Sequence, residues 1–265
     1  MEIAIYLTGL SIVLTMAFFT WLLSLYLKDV SIVDSVWSLM FLGATIGFVL
    51  LSANVGTRSM LVTLLVTLWA VRLALHLTIR NWGQPEDQRY VAIREKYSPN
   101  FAYKSLVIIF VFQALLAWIV MMPIWPAVTV DMPLALMDIV AAGIVLTGLL
   151  FESLADWQLT RFKANPENKG KVMDRGLWRY SRHPNYFGEA VIWWGFYLFA
   201  LSTGAWWTIL GPLLITWLLL KFSGVVMLEE TISQRRPAYR DYIERTNAFV
   251  PGKPKTGAAF REVQS

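Results

Sequence analysis

Two sets of residues in this sequence are of types, and at spacings, that can do chemistry. The first is the run Gly176-Leu177-Trp178-Arg179-Tyr180-Ser181-Arg182-His183-Pro184-Asn185-Tyr186-Phe187-Gly188-Glu189, directly before an apolar stretch. Pro184 and Asn185 read as a helix start, with Asn185 as cap and Glu189 in a first turn, where the helix dipole favours a carboxylate. The free N–H groups of a helix start beside Arg179, Arg182 and His183 make an anion site, and phosphate suits it. The plainer reading is a basic belt against lipid headgroups, but a belt requires neither Asn185 nor Gly188 nor Glu189. The second set consists of ionisable residues inside apolar stretches: Asp34, and Arg72, His76 and Arg80 at i, i+4 and i+8 on one helix face. Charges at such depth are costly and mark function by default. His76 has an alternative role as a packing residue bonded to a neighbouring carbonyl. The chain has no cysteine, which excludes disulfides, thiolate metal sites and Cys nucleophiles.

The elements that position these residues follow from composition. Of 265 residues, 57% are hydrophobic, 14% aromatic and 15% charged, whereas about a quarter of a soluble domain is charged. Thirteen Trp and fifteen Phe, with a mean hydropathy of +0.52, leave too little polar surface for a water-facing globule. A helix crosses the bilayer core with about 20 mostly apolar residues. Seven segments qualify, at 3–27, 32–53, 59–79, 104–125, 133–156, 186–203 and 205–228. The first is expected to stay as a span, since Glu2 stands where a signal peptide would be positive and the apolar run is long. Gly43 and Gly47, in GxxxG spacing, offer a close helix approach in the second, although chance gives the same spacing.

The basic residues orient this arrangement. With the C-terminus inside, Arg58 is the single Lys or Arg of the 23 that falls in an outer segment, and Arg72 and Lys221 lie within spans. The rest face the cytoplasm, which is the bias that orients membrane proteins, so the net charge of +5 is a topology signal and not evidence of nucleic acid. The expectation is an all-α integral membrane protein of seven transmembrane helices, N-terminus outside and C-terminus cytoplasmic. It forms a single domain over 1–265, with cytoplasmic loops 80–103 and 157–185 and tail 229–265. Asp34, His76, Glu152, Asp156 and Glu189 then cluster toward the inner side, and Asp138 alone lies in the outer half. That pattern describes a polar cavity open to the cytoplasm; Lys221, Arg80 and Glu230 are also near enough to helix ends to snorkel.

The run from Gly176 to Glu189 resembles the NADPH-contacting signature of membrane-embedded steroid 5α-reductases and sterol reductases. The string Glu86-Asp87-Gln88-Arg89-Tyr90 is similar to the Glu-Asp-x-Arg-Tyr element of bacterial members of the steroid 5α-reductase-like group. Arg236-Pro237-Ala238-Tyr239-Arg240-Asp241-Tyr242, with Phe249-Val250-Pro251, resembles the C-terminal ending shared by these reductases and related methyltransferases. The resemblance implies NADPH held from the cytoplasmic side, and reduction of the carbon–carbon double bond of a 3-oxo-Δ4 steroid. Hydride would move to the β-carbon while an acid stabilises the developing enolate. Asp34 falls near the family's Glu position and His76 near its Tyr position; both are departures, and Tyr90 is the other proton donor. For NADPH the resemblance implies Asn185, Tyr186 and Glu189, together with Arg179, Arg182 and His183 of the same run. Asp156, Arg161, Lys163 and Lys171 correspond more loosely, the cations suiting a 2′-phosphate, and Arg240 and Tyr242 are expected to close over the cofactor. No metal and no nucleic acid is implied. The expected partners are membrane lipid and a lipophilic, steroid-like substrate from the bilayer, and the expected location is a bacterial inner membrane.

Two other classes compete. A membrane methyltransferase of the isoprenylcysteine or phospholipid type, using S-adenosylmethionine, also has Arg-His-Pro-x-Tyr before a helix, and Glu229 and Glu230 followed by Tyr239 and Tyr242 fit it. Asn185, Glu189 and the Glu86–Tyr90 string are not expected there. A transporter relay through Asp34, Arg72 and Glu152 would need an inverted repeat or broken helix pairs, and neither is evident. The absence of GxGxxG excludes a Rossmann nucleotide site.

Overall fold

The computed structural model describes residues 2–52, 55–222 and 238–255, and every regular element among them is helical. In chain order these are α1 (Glu2–Leu27), α2 (Ile32–Leu51), α3 (Thr57–Asn81), α4 (Gln88–Lys96), α5 (Phe101–Val120, with one wider turn at Leu106–Val111), α6 (Ile124–Thr129), α7 (Leu136–Ala164), α8 (Pro184–Leu201), α9 (Leu210–Trp217) and α10 (Ala238–Arg245). The chain forms two compact units. One comprises residues 1–142 and 196–211, the other 143–195 and 212–265.

Five described helices are long and apolar enough to cross a membrane: Ile3–Leu27, Ile32–Leu51, Thr57–Asn81, Phe101–Val120 and Leu136–Ala164. That is two fewer than the seven expected. The sixth segment forms α8, whose first turns carry Asn185 and Glu189 and dilute its apolar character. The seventh yields an apolar helix of only Trp206–Lys221, and its remainder, with Glu229, Glu230, Arg236 and Pro237, lies outside the described residues. The fifth span also runs further than expected: Trp157, Gln158, Arg161 and Lys163 continue the helix instead of opening the loop. Nothing in 157–164 breaks a helix, and the stop comes at Asn165-Pro166.

In the first unit α2 packs between α1 and α3. Its Gly43 and Gly47 do permit close approach, because a β-carbon at Gly43 would lie 2.7 Å from Met16 Sδ and one at Gly47 would collide with Ile12 Cδ1. Tyr6 and Trp118 lock α1 to α5 reciprocally. The Tyr6 hydroxyl donates to the Trp118 carbonyl at 2.7 Å and the Trp118 indole N–H to the Tyr6 carbonyl at 3.1 Å. Elsewhere in the unit, Arg58 donates to Asp138 at 3.0 Å, to the Ser202 hydroxyl at 2.8 Å and to the Phe199 carbonyl.

The second unit is organised by backbone contact between α7 and α8. A β-carbon on Gly148 would meet the Gly188 carbonyl oxygen at 2.8 Å, and one on Gly188 would meet the Glu152 nitrogen at 2.7 Å. Only glycine admits that approach. It sets the start of α8 directly against the polar half of α7.

Candidate functional site

In the first unit the string Glu86–Tyr90 forms one connected polar cluster. Asp87 precedes α4, and its carboxylate accepts from the Arg89 backbone N–H at 2.9 Å, the usual use of an Asp at a helix start. The Arg89 guanidinium then bridges two carboxylates: its Nε lies 3.0 Å from Asp87 and its Nη2 2.9 Å from Asp34 Oδ2. The buried Tyr90 hydroxyl donates to Asp34 Oδ1 at 2.6 Å. Glu86 accepts from the Val30 backbone N–H at 2.9 Å and from both ends of the Arg94 fork at 2.7 and 3.0 Å. This bidentate pair fastens the segment before α4 to the turn before α2.

The electrostatics follow from these contacts. Burial alone would raise the Glu86 carboxyl, but the hydrogen bonds from Arg94 and Val30 outweigh it and hold the group below its ordinary range. Burial likewise opposes, and the Arg89 side-chain and backbone bonds overcome, a shift that keeps Asp87 below its usual value. Tyr90 moves the other way. Burial, then the neighbouring charge of Asp34, push its phenol well above the ordinary value, so it stays protonated and acts as a hydrogen-bond donor. Two of the three expected catalytic residues, Asp34 and Tyr90, are thus in direct contact. His76 stands half-buried on α3, one turn beyond Arg72.

In the second unit the expected nucleotide-binding residues divide into three groups. Asn185 and Asp156 are brought together, the Asn185 amide donating to Asp156 Oδ1 at 3.1 Å. His183 and Tyr186 stack with ring centres 5.5 Å apart and planes within 5°. Pro184 is the first helical residue, so Asn185 is not the cap. Proline is well suited to that place because its missing N–H has no partner there anyway. Glu189 consequently falls beyond the first turn, where it is buried and accepts from the Trp193 indole N–H at 2.9 Å.

The second group holds the chain's later segment in place. Arg182 donates to the carbonyls of Ile243 at 2.9 Å and Thr246 at 2.5 Å, and its backbone N–H donates to the Asn247 carbonyl. Tyr242 is 1% exposed and donates to the Trp178 carbonyl. Burial raises its phenol above the ordinary value. Ser181 bonds the Phe249 carbonyl at 2.7 Å, Tyr180 accepts from Gly252, and Arg245 pairs with Asp174 at 2.5 Å. Arg182 and Tyr242 therefore strap residues 238–255 onto the loop. The third group, Arg161, Lys163, Lys171, Arg179 and Arg240, has exposed side chains, Arg161 lying over the Trp157 ring at 5.1 Å.

Sequence reasoning missed Gln158, Trp178, Ser181 and Asp174. Gln158 accepts from the Leu177 N–H at 2.9 Å, and Trp178 donates to the Ala155 carbonyl at 3.0 Å, pinning the loop to α7. The available signal was Gly176, which adopts φ +58 with the Gln158 amide where a β-carbon would be.

The stretch 20–246 matches a family of proteins of unknown function, DUF1295. The chain belongs to this family. The match encloses both polar strings and all of α10. An uncharacterized protein of Schizosaccharomyces pombe (strain 972 / ATCC 24843) is 28% identical over 262 residues, which cover 87% of this chain and 75% of the relative. No solved structure matches the chain. The matched stretch runs from the last third of α1 to the end of α10.

Proposed function

We propose that this chain is a membrane-embedded reductase that uses NADPH to reduce the carbon–carbon double bond of a lipophilic enone, a 3-oxo-Δ4 steroid or similar lipid. The observation that carries the reading is the 2.6 Å hydrogen bond from Tyr90 to Asp34, a protonated phenol held at a fixed place beside a buried acid. Relatedness of the DUF1295 family to steroid 5α-reductase-like membrane proteins supports it as well.

The residues of the second unit suit NADPH. Asn185 and Asp156 offer an amide and a carboxylate at one place, with the chemistry to bond carboxamide or ribose groups. Arg161, Lys163, Lys171 and Arg179 are exposed cations of the kind that binds a 2′-phosphate. When bound, the nucleotide supplies a hydride to the β-carbon of the enone. The electron pair of the double bond then moves to the carbonyl oxygen. As negative charge develops, the single Tyr90 O–H turns from Asp34 to that oxygen, an interaction stronger in the transition state than with the ground-state carbonyl. Arg89 stabilises the Asp34 carboxylate that has lost its donor, and the α-carbon takes the balancing proton from water. In this reading the wider arrangement has seven spans with the C-terminus in the cytoplasm, and the nucleotide enters from that side.

The test is thermal stability of the purified protein with NADPH, NADH or S-adenosylmethionine, because a ligand at about 100 times its dissociation constant stabilises a fold by about 2.7 kcal/mol. Stabilisation by NADPH, with NADPH oxidation on adding a 3-oxo-Δ4 steroid, is the expected result. A shift with S-adenosylmethionine alone overturns the reading in favour of methyl transfer.

A further inference from the structure

Within the first unit a recess of about 240 Å³ opens between the end of α1 and the start of α5, with Lys28, Arg94, Phe101 and Ala102 in its lining. Its depth in the membrane is set by its walls. One spanning helix ends at Leu27 and another begins at Phe101, so the opening lies at the level of lipid headgroups. The two walls are pinned together, the Trp21 indole N–H donating to the Ala102 carbonyl at 2.8 Å.

The charges around it are unequal in their commitments. Both nearby carboxylates are satisfied by protein donors: Glu86 by Arg94 and Val30, and Asp29 by the Ser31 backbone and hydroxyl at 2.8 and 2.5 Å. Neither lines the recess. The Arg94 fork uses Nε and Nη2 on Glu86, which leaves Nη1 with no bond among the described residues, while the guanidinium lies 4.6 Å over the Phe101 ring. Lys28 is exposed and forms no ion pair among the described residues.

The end of α1 would ordinarily repel an anion through its carbonyls. Here Lys28 takes φ +56, and the following Asp29 N–H turns back to the Ser24 carbonyl at 3.2 Å, a left-handed helix cap that covers that charge. A lysine is a costly residue for this conformation, in which glycine is preferred. Two cationic donors therefore face one apolar-floored recess at headgroup level without a carboxylate in its lining.

We propose that this recess binds the phosphate of an anionic lipid headgroup, with Lys28 and Arg94 as its donors. Lys28 takes no part in the reduction proposed above, so the site stands or falls separately.

The test is native mass spectrometry of the detergent-purified full chain with phosphatidylglycerol, with phosphatidylcholine of the same acyl chains, and with inorganic phosphate alone. Phosphatidylglycerol should be retained over phosphatidylcholine. Lys28→Ala should weaken retention about tenfold, as expected when one charge-assisted contact is lost, and Lys28→Arg should restore it. Binding of inorganic phosphate to the wild type but not to Lys28→Ala, with phosphatidylglycerol inert, assigns the same phosphate chemistry to a soluble source. Equal retention of both lipids, or of phosphatidylglycerol by wild type and Lys28→Ala, overturns the proposal. Because Lys28 is exposed, Lys28→Ala should keep the wild-type melting temperature without lipid, so altered retention reports the site.

Discussion

Arg58 and Asp138, 80 residues apart in the chain, form an ion pair of 3.0 Å with both side chains 2% exposed. They are the single outer cation and the single outer-half acid of the sequence reading, and each is the other's partner. Their charges fasten α3 to α7 and do not report topology. Ser202 joins them, donating to Asp138 at 3.0 Å, so the helix end after α8 belongs to the same network. Removing one partner leaves a buried charge, so Arg58→Met should cost about 3 kcal/mol or more, whereas Arg58→Met with Asp138→Leu should recover much of the loss. Melting temperatures of the two variants in one detergent check this. Single variants as stable as wild type would discard the pair as a fastening.

Tyr90→Phe removes the donor from Asp34 with little change of shape. Turnover of a 3-oxo-Δ4 steroid should fall about 100-fold, the scale of losing one donor to a developing oxyanion, while NADPH affinity stays unchanged. Asp34→Asn should act in the same direction. Steady-state rates paired with NADPH titration separate the effects, and full activity in Tyr90→Phe would move the proton donor to another residue, with His76 next.

Asn185→Ala should weaken NADPH about tenfold by removing the amide that Asp156 positions. Fluorescence titration of the nucleotide reads this directly. Unchanged affinity would remove the start of α8 from the site.

Gly188→Ala forces a β-carbon to 2.7 Å from the Glu152 backbone nitrogen, where no side chain can yield. A loss of about 1–3 kcal/mol is expected, as for overpacking elsewhere. Gly143→Ala, on the same α7 helix but with nothing within 4 Å, is the control and should be neutral or slightly stabilising. Equal stability of the two variants would contradict the close crossing of α7 and α8.

The Glu86 and Asp87 carboxyls are both held below their ordinary values, so they bind protons less readily folded than unfolded. Their stabilisation of α4 is fully present above the unfolded values of about 4 and is lost as pH falls through the lower folded values. Protection from hydrogen exchange across 82–97, taken against the intrinsic rate at each pH, should therefore fall in acid. Glu86→Gln should already show faster exchange at neutral pH, because its amide is a poorer acceptor for Arg94 and Val30; wild-type protection in that variant would refute the anchor.

Much of this protein is legible in the order of its residues. Long apolar runs require helices in a membrane, because only a helix satisfies its own backbone there, and α1, α2, α3 and α5 lie close to where those runs stand. Local chemistry was also readable at Pro184, which opens α8. The partners were not. Tyr90 meets Asp34 across 56 residues, Arg182 meets Thr246 across 64, and Arg58 meets Asp138 across 80, distances at which helical periodicity carries no information. The sequence by itself settled where the long apolar helices run and which polar residues they carry. Tertiary packing decided which of those polar groups satisfy one another, since a buried donor takes the acceptor that the crossing helices bring within reach.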